Sequence, residues 1–429
     1  MGSRQVVITG IGLISPLGQT ARENWENLKS HHSGIKQQPE GEQASFLQYK
    51  GTVAAPPIPE DISPKLMGQL KFLNRGALLG FHAAHEATTE TKTEIEAIPP
   101  QRRALYVASG DFTKVGYDYM HPAVKESAAA NRQGVDFPKL NRSTLDKVYP
   151  FFLLESLHNN LFSFLSAYLE FMGPNTSLAS LSPCGGNALE LAYRSIKQNT
   201  ADIALAVGYG NWITEIPLFE LDGLGILSKC RAGVSSFRPF DKRRDGFIGG
   251  EGGVALILEV AENVSPGGAS VWGELQGFGN CIEFDSPYKL SVPLNVSQRS
   301  MSAALTQAGC SIDDLAFIIP HGSGTRKGDR SEMKSMANIL AGHIGDVPIC
   351  GLKPYTGHLG ATSDLAEIIF GLLGAREGIA PATPNFEATE NEFADLRISN
   401  AHQSCTQKHF LSISYGLGGQ STAVVVEAK

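Results

Sequence analysis

Apolar runs of strand length recur along this chain, several ending at glycine, and they alternate with stretches of helical spacing. No other feature limits the fold as strongly. "RQVVITG" (4–10), "RRALYVASG" (102–110), "ADIALAVGYG" (201–210) and the run ending at Glu259 form one series. A second series comprises "SVWGELQGFGN" (270–280), "LAFIIPHGSGT" (315–325) and the closing hairpin "HFLSISYGLGGQSTAVVVEA". Strands that alternate with helices predict an α/β fold, and two such series predict a duplicated one, with halves at residues 1–259 and 260–429. No repeat in the letters themselves is strict enough to prove the duplication.

The bulk composition narrows the partners. A formal net charge of −7 over 429 residues, with no dominant basic run, argues against nucleic-acid binding. No apolar run reaches the roughly 18 residues of a membrane span, and no charged-then-apolar leader opens the sequence. Cys184, Cys230, Cys281, Cys310, Cys350 and Cys405 are scattered without CxxC pairs, the usage of reduced thiols rather than of a disulfide framework or zinc site. The expectation is a cytoplasmic protein with no bound metal or cofactor.

Two weak motifs are set aside. Gly10 and Gly12 begin a dinucleotide-like pattern, but Ser15 stands where its third glycine belongs. His82 and His85 sit three apart on a helix expected at about 66–90, with no third ligand in view, and are read as packing residues. Residues 111–172 are rich in aromatic side chains, among them Tyr117, Phe162 and Phe164.

Chemistry-bearing residues gather where strands end, the edge of an α/β sheet at which sites form. "SLASLSPCGGNALELA" (177–192) is a strand, a sharp turn and a helix start, a housing for a nucleophile that could be Ser182, Cys184 or neither. Serine before proline is expected to be the N-cap, with Pro183 the first helical residue and Cys184 the second, rotated by about 200° from the cap. His321 in "PHGSGTRKGDRSE", Lys353 and His358 in "GLKPYTGHLGATSD", and the loop "SYGLGGQ" complete the set.

Together with "VVITGIG" and "FRPFDKRRDGF", these segments resemble the elongating β-ketoacyl-acyl-carrier-protein synthases, the thiolase-like condensing enzymes of fatty acid and polyketide synthesis. The resemblance runs almost the full length of the chain. It implies a thiolase-like, duplicated five-layered α/β/α/β/α fold, an obligate dimer, and substrates carried on the phosphopantetheine arm of an acyl carrier protein. In that family a cysteine thiolate takes the acyl chain, and two histidines promote malonyl decarboxylation and stabilise the enolate oxygen. His321 and His358 match the two histidines, Lys353 matches an ordering lysine, and Glu332 matches its acidic partner.

The family's cysteine lies nine residues after the glycine of a Gly-Pro pair. Counted from Gly173, that position is Ser182; Gly185 and Ala201-Asp202 then fall in register without a gap. Cys184 is the alternative nucleophile only if residues are inserted before it and deleted after it. A serine hydroxyl is not ionised near neutral pH and needs a base in contact, unlike a helix-terminal thiolate. Leu417, between Gly416 and Gly418, replaces the family's gating phenylalanine, and Arg326-Lys327 replace its usual proline and small residue. The resemblance therefore implies a chain length factor of a type II polyketide synthase, forming a heterodimer with an active ketosynthase. The alternative is an active condensing enzyme.

Overall fold

The computed structural model describes residues 4–429 apart from 40–44, 90, 111–118, 130–133, 156, 181, 265–269 and 286–290. Tyr117 and Leu181 therefore lie outside the described residues.

The first half contributes strands β1 (Val6–Ile14), β2 (Arg103–Ser109), β3 (Asn175–Ala179), β4 (Ile203–Asn211) and β5 (Glu251–Val260). They lie in the order β3-β2-β4-β5-β1. β3, β2 and β4 run parallel, whereas β5 is antiparallel to both β4 and β1. The second half contributes β6 (Gly273–Ile282), β7 (Leu315–Ile319), β8 (His409–Tyr415) and β9 (Gln420–Ala428), ordered β6-β9-β8-β7. A parallel bridge from Ile318 to Ile349 stands beyond β7. With Ile349 as its third element, the second half repeats the first: the order is 3-2-4-5-1 in both, with the same parallel and antiparallel senses. The duplication absent from the letters is present in the topology. The two halves join where β1 pairs with β6 at Val7 and Ile8.

Five helices build the layers: α1 (Arg75–Thr89), α2 (Asn160–Leu169), α3 (Cys184–Lys197), α4 (Gln298–Ala308) and α5 (Arg326–Ile339). A sixth, α6 (Thr362–Glu377), packs beside α3 between the two halves of the sheet. Strand residues alternate between layers. Leu105 and Val107 face α1 and α2, while Ala104 and Ala108 face the central helices. Both faces are covered, which is why these strands are apolar throughout. On the far side, Leu411 and Ile413 pack against Met301, Met333 and Met336 of α4 and α5.

One local expectation is corrected. The helix expected at 66–90 is broken into Pro64–Met67, a short turn at Leu70–Phe72, and α1. Asn74 restarts it, its side-chain oxygen accepting from the N–H of Ala77, as an N-cap does. His82 and His85 bond to the Gln19 carbonyl and the Tyr168 hydroxyl, in keeping with packing roles.

The architecture brings the start of α3 against the start of α6. Gly185 makes this approach possible, since a Cβ there would come within 2.3 Å of the Ala361 carbonyl oxygen.

Candidate active site

Ser182, His321 and His358 come from three separate chain segments and line one cavity of about 590 Å³ with Trp212, Tyr415 and Leu417. Arg326 and Lys327 also line it, and both are exposed. Cys184 is not part of the lining. It is buried in the central core, and desolvation, reinforced by Asp364, pushes its thiol up to about 12. The sulfur is thus a packing group held far from its reactive form.

Ser182 does not cap the helix as expected. Its hydroxyl donates to the Gly360 carbonyl at 3.3 Å, and α3 begins one residue later than predicted, at Cys184. Asp364 of α6 takes over the cap, its Oδ2 accepting from the N–H groups of Gly185 (3.1 Å) and Gly186 (3.4 Å). A carboxylate at a helix N-terminus accepts more strongly than a neutral hydroxyl, so it displaces the serine.

The imidazoles face each other, with Nε2 of His358 3.4 Å from Nε2 of His321. Their outer nitrogens fix which Nε2 carries the proton. The Gly360 N–H donates to His358 Nδ1 at 3.1 Å, so a neutral His358 bears its proton on Nε2. Ser414 donates its hydrogen to Asp364 Oδ1 at 2.5 Å, so its oxygen accepts from His321 Nδ1 at 3.3 Å and leaves His321 Nε2 as an acceptor. The cavity therefore meets one donor ring and one acceptor ring. Burial is the main cause that holds both rings well below the usual histidine range, and Lys353 adds to it.

Lys353 and Glu332 do not pair as expected. The lysine Nζ donates to the His321 carbonyl and to Glu367 Oε1, the latter at 2.7 Å. Glu332 instead accepts from the consecutive N–H groups of His321 (2.7 Å) and Gly322 (2.9 Å). Two backbone donors occupy its two oxygens, and Lys353 reaches it only through the field. Burial pushes both Glu332 and Glu367 up to about 8, and Asp364 up to about 6.

The glycine loop closes the wall beside Ser182. A Cβ on Gly416 would lie 2.1 Å from the Ser182 carbonyl oxygen, and Gly418 turns the hairpin at φ +100°. Leu417 packs on Val292, Val296 and Tyr415. Asp364, Glu367, Ser414 and Trp212 were missed from the sequence. The available signal was α6 itself, a helix with a long apolar stretch in which Asp364 and Glu367 stand three residues apart, well before Arg376 and Glu377 at its end.

Residues 3–263 match the beta-ketoacyl synthase N-terminal domain, and residues 283–387 match its C-terminal domain. The chain is 27% identical to 3-oxoacyl-[acyl-carrier-protein] synthase 2 of Coxiella burnetii, over 99% of both chains. Two similar solved structures are a type II polyketide ketosynthase in complex with its acyl carrier protein and the ishigamide ketosynthase/chain length factor. The first gives a TM-score of 0.82 at 22% identity and the second 0.81 at 20%, each covering 100% of both chains. Among the described residues no helix is long and apolar enough to cross a membrane. A nine-stranded duplicated sheet, a cavity joining two strand-end histidines, and a match spanning both domains agree: the chain belongs to the beta-ketoacyl synthase family.

Proposed function

We propose that this chain is the non-condensing, chain-length-factor-like partner of an active ketosynthase, working on intermediates held by an acyl carrier protein. The observation that carries this reading is the hydroxyl of Ser182. It faces the cavity where a thiolate is required, and it donates its hydrogen to a backbone carbonyl rather than to a base. A carbonyl cannot take the proton, so in this arrangement no alkoxide forms and acyl transfer onto this chain is disfavoured.

A dimeric partner is supported by large apolar side chains left exposed. Phe137 is 71% exposed, Leu145 87% and Leu153 58%, and β3 forms one edge of the sheet. Large apolar patches and open strand edges usually mark interfaces.

A second reading, an active condensing enzyme, draws on the intact imidazole pair and the open cavity. One experiment separates the two. The purified chain is incubated with acyl-carrier and malonyl-carrier proteins, alone and with a cysteine-bearing ketosynthase from the same source, and ketoacyl product is followed by mass spectrometry. Product only in the mixture, together with a 1:1 complex, supports the partner role. Turnover by the chain alone at roughly 1 per second or faster overturns it.

A further inference from the structure

Trp212 immediately follows β4 and is buried, 3% exposed, in the cavity wall. Its indole lies flat on the His358 imidazole, with centroids 4.7 Å apart and planes 14° from parallel. The indole Nε1–H donates to the Gly110 carbonyl, which fixes the ring in its own plane. The opposite constraint comes from Gly360, where a Cβ would lie 2.7 Å from the indole. Gly360 also supplies the N–H that binds His358 Nδ1. One residue thus holds the imidazole by its nitrogen and admits the indole that covers its face.

We infer that Trp212 is a positioning residue that clamps the His358 ring so that its Nε2–H stays directed at His321 and the cavity. Phe247 leans on the same imidazole, with centroids 4.8 Å apart. The charged and titratable groups that act on His358 are His321 and Lys353. The Lys353 ammonium disfavours a second positive charge on His358.

The indole exerts two opposed effects. Its π face would attract an imidazolium. By excluding water it also withholds the solvation that such an ion needs. Exclusion of water is the larger effect, so removing the indole favours protonation. The role presupposes that His358 serves the site proposed above. The test nevertheless reads the ring itself: a chain that condenses unaided would overturn that reading and leave this one standing.

The test is NMR of the full-length chain with 15N-labelled histidine, the His358 signal being assigned by its loss in H358Q. The native protein should show His358 as the Nε2–H tautomer, resisting protonation as the pH is lowered. In W212A the ring should populate both tautomers and bind protons at least tenfold more tightly. W212F keeps a covering face and lacks the tether to Gly110, so it should largely restore the tautomer and shift proton affinity less. If W212A does not fold, the smaller shift in W212F carries the same test. An unchanged tautomer and unchanged titration in the folded variants overturn the clamp.

Discussion

The two halves of the duplicated fold meet at the site, and they have fared differently. The first half supplies the nucleophile position, where a neutral hydroxyl bonds to the Gly360 carbonyl and the nearest thiol is buried in the core. The second half supplies His321, His358 and Lys353 with buried polar supports, Glu332 on the backbone and Oε1 of Glu367 on the lysine. Hydrogen bonds between buried groups hold those groups in a single geometry. One half keeps the groups suited to an enolate, and the other lacks the group suited to an acyl chain.

The sharpest break of this contrast is to restore the thiol. S182C should place sulfur just before α3 in the cavity that the two neutral imidazoles line, where transfer of its proton to one of them gives a thiolate beside a cation. If only the nucleophile is missing, condensation by the chain alone should rise at least about a hundredfold, read as ketoacyl product by mass spectrometry. Trapping by iodoacetamide without any product would show that the second half is also impaired, and the contrast would fail.

The histidine half is tested by removing its cation. K353M leaves Glu367 buried without its partner, and Oε2 of that carboxylate already has no hydrogen bond. Above about pH 8, where Glu367 is ionised, breaking one side of this buried pair costs about 3–5 kcal/mol, which a denaturant titration at that pH should detect. A loss below about 1 kcal/mol would show that Glu367 simply takes up a proton and that the pair is not what orders the loop.

The aromatic segment gives a comparison within one helix. Phe164 is buried edge-on against Phe81 beneath the first sheet, while Phe162 is only partly buried. F164A should therefore cost about 3–5 kcal/mol of stability and leave product length unchanged. Longer products from a reconstituted pair carrying F164A would place this ring at the end of a tunnel instead.

Much of this was legible because burial on both faces writes strands as continuous apolar runs, and β2, β4 and β8 stand close to where those runs place them. The duplication was not legible in letters, because it resides in strand order and sense, and in the second half its third member is reduced to a bridge at Ile349. At the site, Ser182, His321, His358 and Lys353 were visible through motif resemblance. Their supports were not, because Asp364 and Glu367 sit on a helix where acids usually mean solvent, and only the central position of α6 buries them. The misplaced cap has the same origin: local rules named Ser182, and a carboxylate distant in sequence displaced it.

The smallest effect is also the one that separates the two kinds of buried group by sign. His321 and His358 are held below their unfolded value of about 6.5, so at lower pH the unfolded chain binds more protons than the native one. Their contribution is present above that value and is lost as the pH falls below it, by about 1 kcal/mol per histidine between pH 6.5 and 5.5. Glu332 and Glu367 act oppositely. Raised to about 8, each binds a proton in the native state that the unfolded chain has released above about 4.5, so their contribution falls as the pH rises through that window. The wild-type curve between pH 5.5 and 6.5 is thus the difference of two slopes. The double variant H321N/H358N removes one of them, and its stability should rise relative to wild type as the pH is lowered, by about 2 kcal/mol across this interval. Parallel curves for the two proteins, measured by urea unfolding at each pH, would mean that the imidazoles accept protons in the folded state. The second half would then present cations to the cavity rather than one neutral donor and one neutral acceptor.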